Sequence, residues 1–472
     1  MAQRMAPFET RVAVGVGSGL LGAAVTALGL TVLISARISG LWVVLFLVPI
    51  LLAASWPAFR RQARREQDPG LAGLFLLALG LKLLGSLVRY WVLVDLYDGL
   101  GDAISYHAYG ERLAMGFRAG NFDTGLASLN STDFIRFFTG VIYTVTGPSI
   151  YAGFLLYSWL AFWGMFCMYR AFTIAVPDGR KRSYAKLLFF MPSMLYWPSS
   201  IGKEAWMLFA LGLTAYGTAR LLTGRTWRGL AVAGTGLWLA TLVRPHVGGM
   251  AAFGMVVAYL LARPPRRLGG VGSVVKLFGL AALLVVAVLL LGRIQSYLMD
   301  KGIDPAEGVS SVLAESARRT SGGGSGFEAP STSTSLARLP YAAVTILFRP
   351  FPFEAHNAQS AVTALESAIL LCLTVARRRA IWRAIRHLRR WPYVAFILVY
   401  AAGFVVAFAS IANFGILARE RVQLLPFFLV LLAVPVARRG PATPPPPAGT
   451  RLAEREADER REGDASRQLA RA

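Results

Sequence analysis

The chain has 472 residues, 55% of them hydrophobic and only 16% charged. A water-soluble chain of that length would divide into two or three domains with charged surfaces, so the composition excludes an ordinary soluble enzyme. The formal net charge of +24 falls mostly in short loops beside apolar runs, which points to orientation in a membrane and contact with anionic lipid rather than to nucleic acid.

Taken in chain order, apolar stretches of roughly 17–25 residues, the length that crosses a bilayer core, predict about twelve transmembrane helices. They centre on residues 12–34, 41–58, 71–94, 150–175, 184–199, 204–222, 228–243, 247–262, 274–292, 358–376, 392–411 and 422–437. The first lacks a small-residue cleavage site and is long for a signal-peptide core, so it is expected to be retained. Basic clusters follow every second stretch: Arg60-Arg61 with Arg64-Arg65, Arg180 to Arg182, Arg225 with Arg228, Arg263 with Arg266-Arg267, Arg377 to Arg390, and Arg438-Arg439. The positive-inside rule puts these in the cytoplasm, and an even count of spans puts both termini there too. The expected compartment is a bacterial-type cytoplasmic (plasma) membrane.

Two apolar pieces, 134–145 and 339–348, are too short to cross and are predicted to be re-entrant or interfacial on the outer face. The stretch 184–199 carries Pro192 and Pro198, which predicts a kinked or broken helix. Outer loops 96–149 and 293–357 are expected to form the site. The second holds a Gly/Ser run from Thr320 and a Ser/Thr run from Ser331, which reads as a mobile spacer or a lid. Residues 1–437 are therefore a membrane domain, and 438–472, with Pro444 to Pro447 and mixed charge, a disordered cytoplasmic tail. Cys167 and Cys372 lie within apolar runs and supply neither a disulfide framework nor a metal site.

The turns opposite the basic clusters carry another chemistry. Asp102, Tyr106 and Tyr109 share a face if their segment is helical. Asp102 could take a proton from a hydroxyl or bind a divalent cation, or it could simply cap a helix beside interfacial aromatics. Lys203-Glu204 reads either as a surface turn or as a phosphate-binding Lys held by a Glu. Arg244-Pro245-His246 puts two cations on the translocated side, against the usual bias, so a specific anionic partner is expected. Arg349, Glu354 and His356 form a further cluster, and Arg419-Glu420-Arg421 another, with a weak intrahelical pair as its bland reading. Arginines from separate segments suit a phosphate or pyrophosphate headgroup. Lys82, in mid-span on one face with Arg89, could belong to a polar cavity or could snorkel. His107, His246 and His356 could hold a metal with Asp102 and Glu354, yet none shows helical His-x-x-x-His spacing. No Walker A or Rossmann glycine signature is present.

Gly101-Asp102-Ala103 with Tyr106-His107, the stretch Pro192 to Glu204 containing Ser193, Trp197, Ser199 and Lys203, and Arg244-Pro245-His246 together resemble the GT-C superfamily of polytopic membrane glycosyltransferases. They also resemble polymerase-like proteins of bacterial polysaccharide assembly. The acidic pair of many members is here a lone Asp102 with Asp98 nearby. The resemblance implies transfer of a sugar from a polyprenyl-phosphate-linked donor to an extracytoplasmic glycan or lipid acceptor. Asp102 would be the catalytic residue, and Lys203, Arg244, Arg349 and Arg419 or Arg421 would meet the leaving phosphate. Tyr106, Tyr109 and Trp197 would stack on sugars; Tyr106, His107, Glu204, His246, Glu354 and His356 complete the expected substrate-binding set. No nucleotide donor is needed, and a divalent cation could assist. Two other readings stand beside it: a polymerase or ligase using a lipid-pyrophosphate-linked oligosaccharide, and a transporter or flippase for a lipid-linked anion.

Overall fold

The computed structural model describes residues 40, 42–126, 128–224, 226–262, 271–300, 317–318, 339–355, 357–411 and 413–435. All of them but Pro435 belong to one compact unit, Met1–Val434. Among the described residues the architecture is all-α, with no strand. The expectations for the first span at 12–34, for the Gly/Ser and Ser/Thr runs of the second outer loop, for His356 and for the tail lie outside the described residues.

The helices are α1 (Trp42–Glu66), α2 (Gly70–Trp91, continued by a π-helical turn Val92–Leu96), α3 (Asp102–Arg118), α4 (Ser131–Thr146) and α5 (Ile150–Ala175). Then come α6 (Lys181–Phe190), α7 (Pro192–Tyr196), α8 (Lys203–Leu222), α9 (Thr226–Thr241), α10 (Pro245–Leu261) and α11 (Val271–Asp300). The last are α12 (Leu339–Phe348), α13 (Ala358–Arg386), α14 (Pro392–Phe408), α15 (Phe414–Arg421) and α16 (Leu425–Ala433). Among the described residues, five helices are long and apolar enough to cross a membrane: α1, α2 through Leu96, α5, α8 and α13. The shorter apolar helices are α10, α12 and α14. Phe46 and Ile50 on α1, Leu77 and Leu84 on α2, and Leu365 and Trp382 on α13 are exposed. A soluble fold would bury such side chains, whereas lipid accepts them.

The core is built on α5, which packs against α8, and on α8 against α9. These axes approach closely because glycines line the crossing. A Cβ at Gly212 would lie 2.2 Å from the Gly164 carbonyl oxygen, and one at Gly164 would lie 2.3 Å from the Leu208 carbonyl. In a membrane, where lipid tails match apolar side chains, such backbone contact supplies much of the attraction between helices. The α1–α2 pair lies against α5, α3 packs on α4 as a hairpin, and α10 packs on α14 and α11.

Two predicted spans take other forms. The stretch 184–199 is broken: α6 ends at Phe190, Met191 is extended, and Pro192 opens the five-residue α7, because proline brings no N–H to the preceding turn. Of the stretch expected to run from 422 to 437, the described part holds a nine-residue helix, α16, separated from α15 by a turn. Upstream, the Asn413 side chain accepts from the Gly415 and Ile416 amides and caps the start of α15. The two short apolar pieces, 134–145 and 339–348, are the helices α4 and α12.

Lys82 is fully buried and does not snorkel. Its Nζ donates to the carbonyls of Met194 at 2.7 Å and Pro198 at 3.1 Å, and to Ser199 Oγ at 2.8 Å. These are groups that the break around α7 leaves without helical partners, so Lys82 closes the end of that turn.

Candidate functional site

The polar turns converge. α3 begins at Asp102, whose carboxylate accepts a hydrogen bond from Arg419 Nη1 of α15 at 3.2 Å. Arg419 Nε lies 3.2 Å from Glu204 Oε1 at the start of α8, close enough for ion pairing but not aligned for a hydrogen bond. Arg244, just ahead of α10, donates through Nη2 to Glu204 at 3.3 Å and to Glu420 at 2.6 Å, and through Nη1 to Glu420 as well. Gln423 Nε2 donates to Glu420 at 2.7 Å. Five charged groups from segments up to 317 residues apart thus form one chain, Asp102–Arg419–Glu204–Arg244–Glu420.

One end of this chain opens on a cavity of about 300 Å³ lined by Arg89, Asp102, Tyr106, Lys203, Glu204 and Arg419, with Trp197 and Tyr97 at its edge. Asp102 is the exposed member, its side chain 64% accessible. Lys203 Nζ donates to Ser131 Oγ at 3.1 Å, which turns the α8 N-terminus toward α4. Burial, reinforced by the charges of Asp102 and Glu204, pushes the Tyr106 hydroxyl up to about 12. It remains a neutral donor at any physiological pH. Glu204 holds the Arg419 guanidinium above its ordinary range against the opposing effect of burial, with Glu420 and Asp102 adding to the effect. The cavity therefore presents an open carboxylate, a phenol, and the Arg419 guanidinium beside Lys203 and Arg89.

An apolar groove of about 460 Å³ abuts it, lined by Val88, Trp91 and Val92 of α2, Tyr196 of α7, and Val362 and Thr363 of α13. Tyr97, Trp197 and Gln359 line both, and Tyr97 Oη donates to Gln359 Oε1 at 3.2 Å across the seam.

Of the residues predicted from sequence, Asp102, Tyr106, Lys203, Glu204 and Arg419 meet at the cavity. Arg244 is bound into the buried ion-pair chain behind it, 7% exposed. Tyr109 packs under the guanidinium groups of Arg112 and Arg136. The His107 ring faces Tyr143 at 2.8 Å, and burial lowers its pKa from the ordinary value against the pull of Glu111. The His246 ring lies 5.9 Å from that of Phe408, tilted by 49°. Arg349 pairs with its neighbour Glu354 and lies over the Phe414 ring. Arg421, fully buried, points away from the cavity. It donates to Leu347 O at 3.0 Å, Ser367 Oγ at 2.9 Å and Glu366 at 3.4 Å.

Sequence reasoning passed over Glu366 and assigned Arg89 no role. Glu366 accepts from both the amide and the hydroxyl of Ser193 at 2.6 Å, fixing α7 to α13. The signal was available, since an isolated Glu within an apolar span is a site by default. Among the described residues no group of three His, Cys, Asp or Glu side chains could hold a metal ion. The two cavity carboxylates already share the Arg419 guanidinium, so this arrangement does not fit a divalent cation. Comparison with known proteins finds no matching family model, no matching curated protein and no matching solved structure.

Proposed function

We propose that the protein is a multi-pass glycosyltransferase of a bacterial-type plasma membrane, with about twelve spans and both termini in the cytoplasm. It would move a sugar from a polyprenyl-phosphate-linked donor to an extracytoplasmic glycan or lipid acceptor. The observation that carries this reading is the juxtaposition of a charged cavity holding an open carboxylate with an apolar groove. An amphiphilic donor needs both. In this reaction the acceptor hydroxyl gives its proton to the Asp102 carboxylate while its oxygen bonds to the anomeric carbon. The bond from that carbon to the phosphate oxygen breaks, and the lipid phosphate leaves toward Lys203 and Arg419. Negative charge grows on that phosphate in the transition state, where fixed cations act most strongly. Tyr106 donates to a sugar or phosphate oxygen.

Asp102→Asn, in cells lacking the native gene, tests the reading. The expected result is loss of extracytoplasmic glycan at normal membrane abundance, because Asp102 is exposed and its amide would fold. Unchanged glycan would overturn Asp-dependent transfer. If Lys203→Met alone then abolished glycan, the polymerase-like chemistry on a lipid-pyrophosphate donor would be favoured; if neither variant mattered, transport would be.

A further inference from the structure

Arg89 lies at the outer end of α2, where the groove meets the cavity, and it belongs to neither of the ion-pair networks described above. Its guanidinium sits 4.6 Å from the Tyr196 ring and 4.8 Å from the Trp197 ring, with Nη1 donating to Tyr196 Oη at 2.8 Å. Nε is shut away from solvent and has no hydrogen-bond partner. Among the described residues nothing accepts from Nη2, and no carboxylate pairs with this arginine. Yet the side chain lines the polar cavity, while its neighbours Val88 and Val92, with Tyr196, line the groove.

A half-buried guanidinium without a counter-ion is costly, and a buried donor without a partner adds to the cost. The aromatic cradle accounts for the orientation of the group but not for all its donors: stacking occupies the faces of the guanidinium and Tyr196 takes Nη1, which leaves Nη2 for an incoming ligand. A charged N–H donor of this kind bonds phosphate oxygens strongly. Arg419 is an unsuitable first contact for an incoming anion, since Asp102 and Glu204 already hold it.

We infer that Arg89 is the residue that captures the anion of an amphiphile lying across the seam, its phosphate against Arg89 in the cavity and its apolar chain in the groove between α2 and α13. The occupant is a lipid phosphate. This rests on the reading of the site as one for a lipid-linked donor, but it concerns binding and not transfer. Arg89 here selects the charge of the headgroup; it takes no proton and breaks no bond.

The test is calorimetric titration of the purified full chain in phosphatidylcholine nanodiscs, with empty discs as blank. The probes are dodecyl phosphate, dodecanol and inorganic phosphate. Saturable binding of dodecyl phosphate is expected, with dodecanol and inorganic phosphate each much weaker. Arg89→Ala should weaken dodecyl phosphate about 10- to 100-fold, the worth of one charge-assisted contact, and leave dodecanol unchanged; Arg89→Lys should restore part of the loss. Loss of dodecyl phosphate binding overturns this inference whatever the glycan assay of Asp102→Asn shows, so failure of the transfer reading and failure of this one remain separable. Equal affinity for inorganic phosphate would overturn the amphiphile in favour of a free-anion site. Equal affinity for dodecanol, or full binding by Arg89→Ala, would overturn the role of Arg89. Should Arg89→Ala not fold, the native chain still decides: binding dodecyltrimethylammonium as well as dodecyl phosphate would refute selection by a cation.

Discussion

Removing Arg244 separates a buried strut from a free phosphate hand. Arg244, Glu204 and Glu420 are 7%, 7% and 5% exposed, and the guanidinium contacts both carboxylates. Arg244→Ala would leave two buried carboxylates without the cation that links them, with Arg419, Lys203 and Gln423 nearby. Breaking one buried pair by deleting a partner costs about 3–5 kcal/mol, a large share of what holds a fold together. The expected outcome is a markedly lower apparent unfolding midpoint in detergent and reduced membrane abundance, not a folded but inactive protein. Midpoints must be compared at one heating rate, because unfolding of such a chain is governed by its rate. Arg244→Met combined with Glu420→Gln removes charge from both sides and should recover about 0.5–3 kcal/mol, the coupling expected of residues in contact. Arg244→Ala at native abundance and native midpoint would refute the claim that these groups are desolvated and bear on the fold.

Lys82→Met should lower the apparent midpoint as well, because the Met194 and Pro198 carbonyls lose their donor at about 1–3 kcal/mol each; an unchanged midpoint would mean that the broken turn closes without it. His107 gives a pH signature. Its folded pKa is lowered by burial, so folding favours the neutral ring. Stability is therefore full above the unfolded value of about 6.5 and falls as the pH drops below it, since the unfolded chain takes up the proton first. Midpoints measured at pH 7.5 and 5.5 should differ more in the native chain than in His107→Gln, and an identical difference would remove His107 from the account.

How far the fold was legible depended on the kind of signal. Long apolar runs gave α1, α2, α5, α8 and α13 because length and hydropathy are local properties. The break at Pro192 was legible for the same reason. The turn between α15 and α16 was not: the apolar residues from Val422 onward read as one span, whereas α16 starts at Leu425 after a turn, Val422 to Leu424, that holds neither proline nor glycine. In the site, the face of α3 carrying Asp102 and Tyr106 followed from helical spacing, but pairing did not. Arg244 and Arg419 looked alike as outer-face cations; only the third dimension put Glu420 on one and an open cavity beside the other. Arg89 was overlooked because its partners, Tyr196 and Trp197, are ordinary interfacial aromatics in sequence, and the absence of a carboxylate is visible only once neighbours are known.

Arg419 and Arg421 show how the fold holds the cavity in shape. Two residues apart on α15, they point about 200° apart around the helix, one into the cavity and one into the core. Arg421 is fixed by Glu366, Ser367 and the Leu347 carbonyl, and Glu366 in turn holds Ser193 at the start of α7. A helix of eight residues has little stability of its own, so its position comes from these contacts. Arg419 is then placed before any ligand arrives, which is the condition for a cation to stabilise developing charge without reorganising. Glu366 also lines the apolar groove. The wall that would receive a lipid chain and the helix that aims the cavity's cation are therefore joined through a single buried ion pair. A change at Glu366 should reach both.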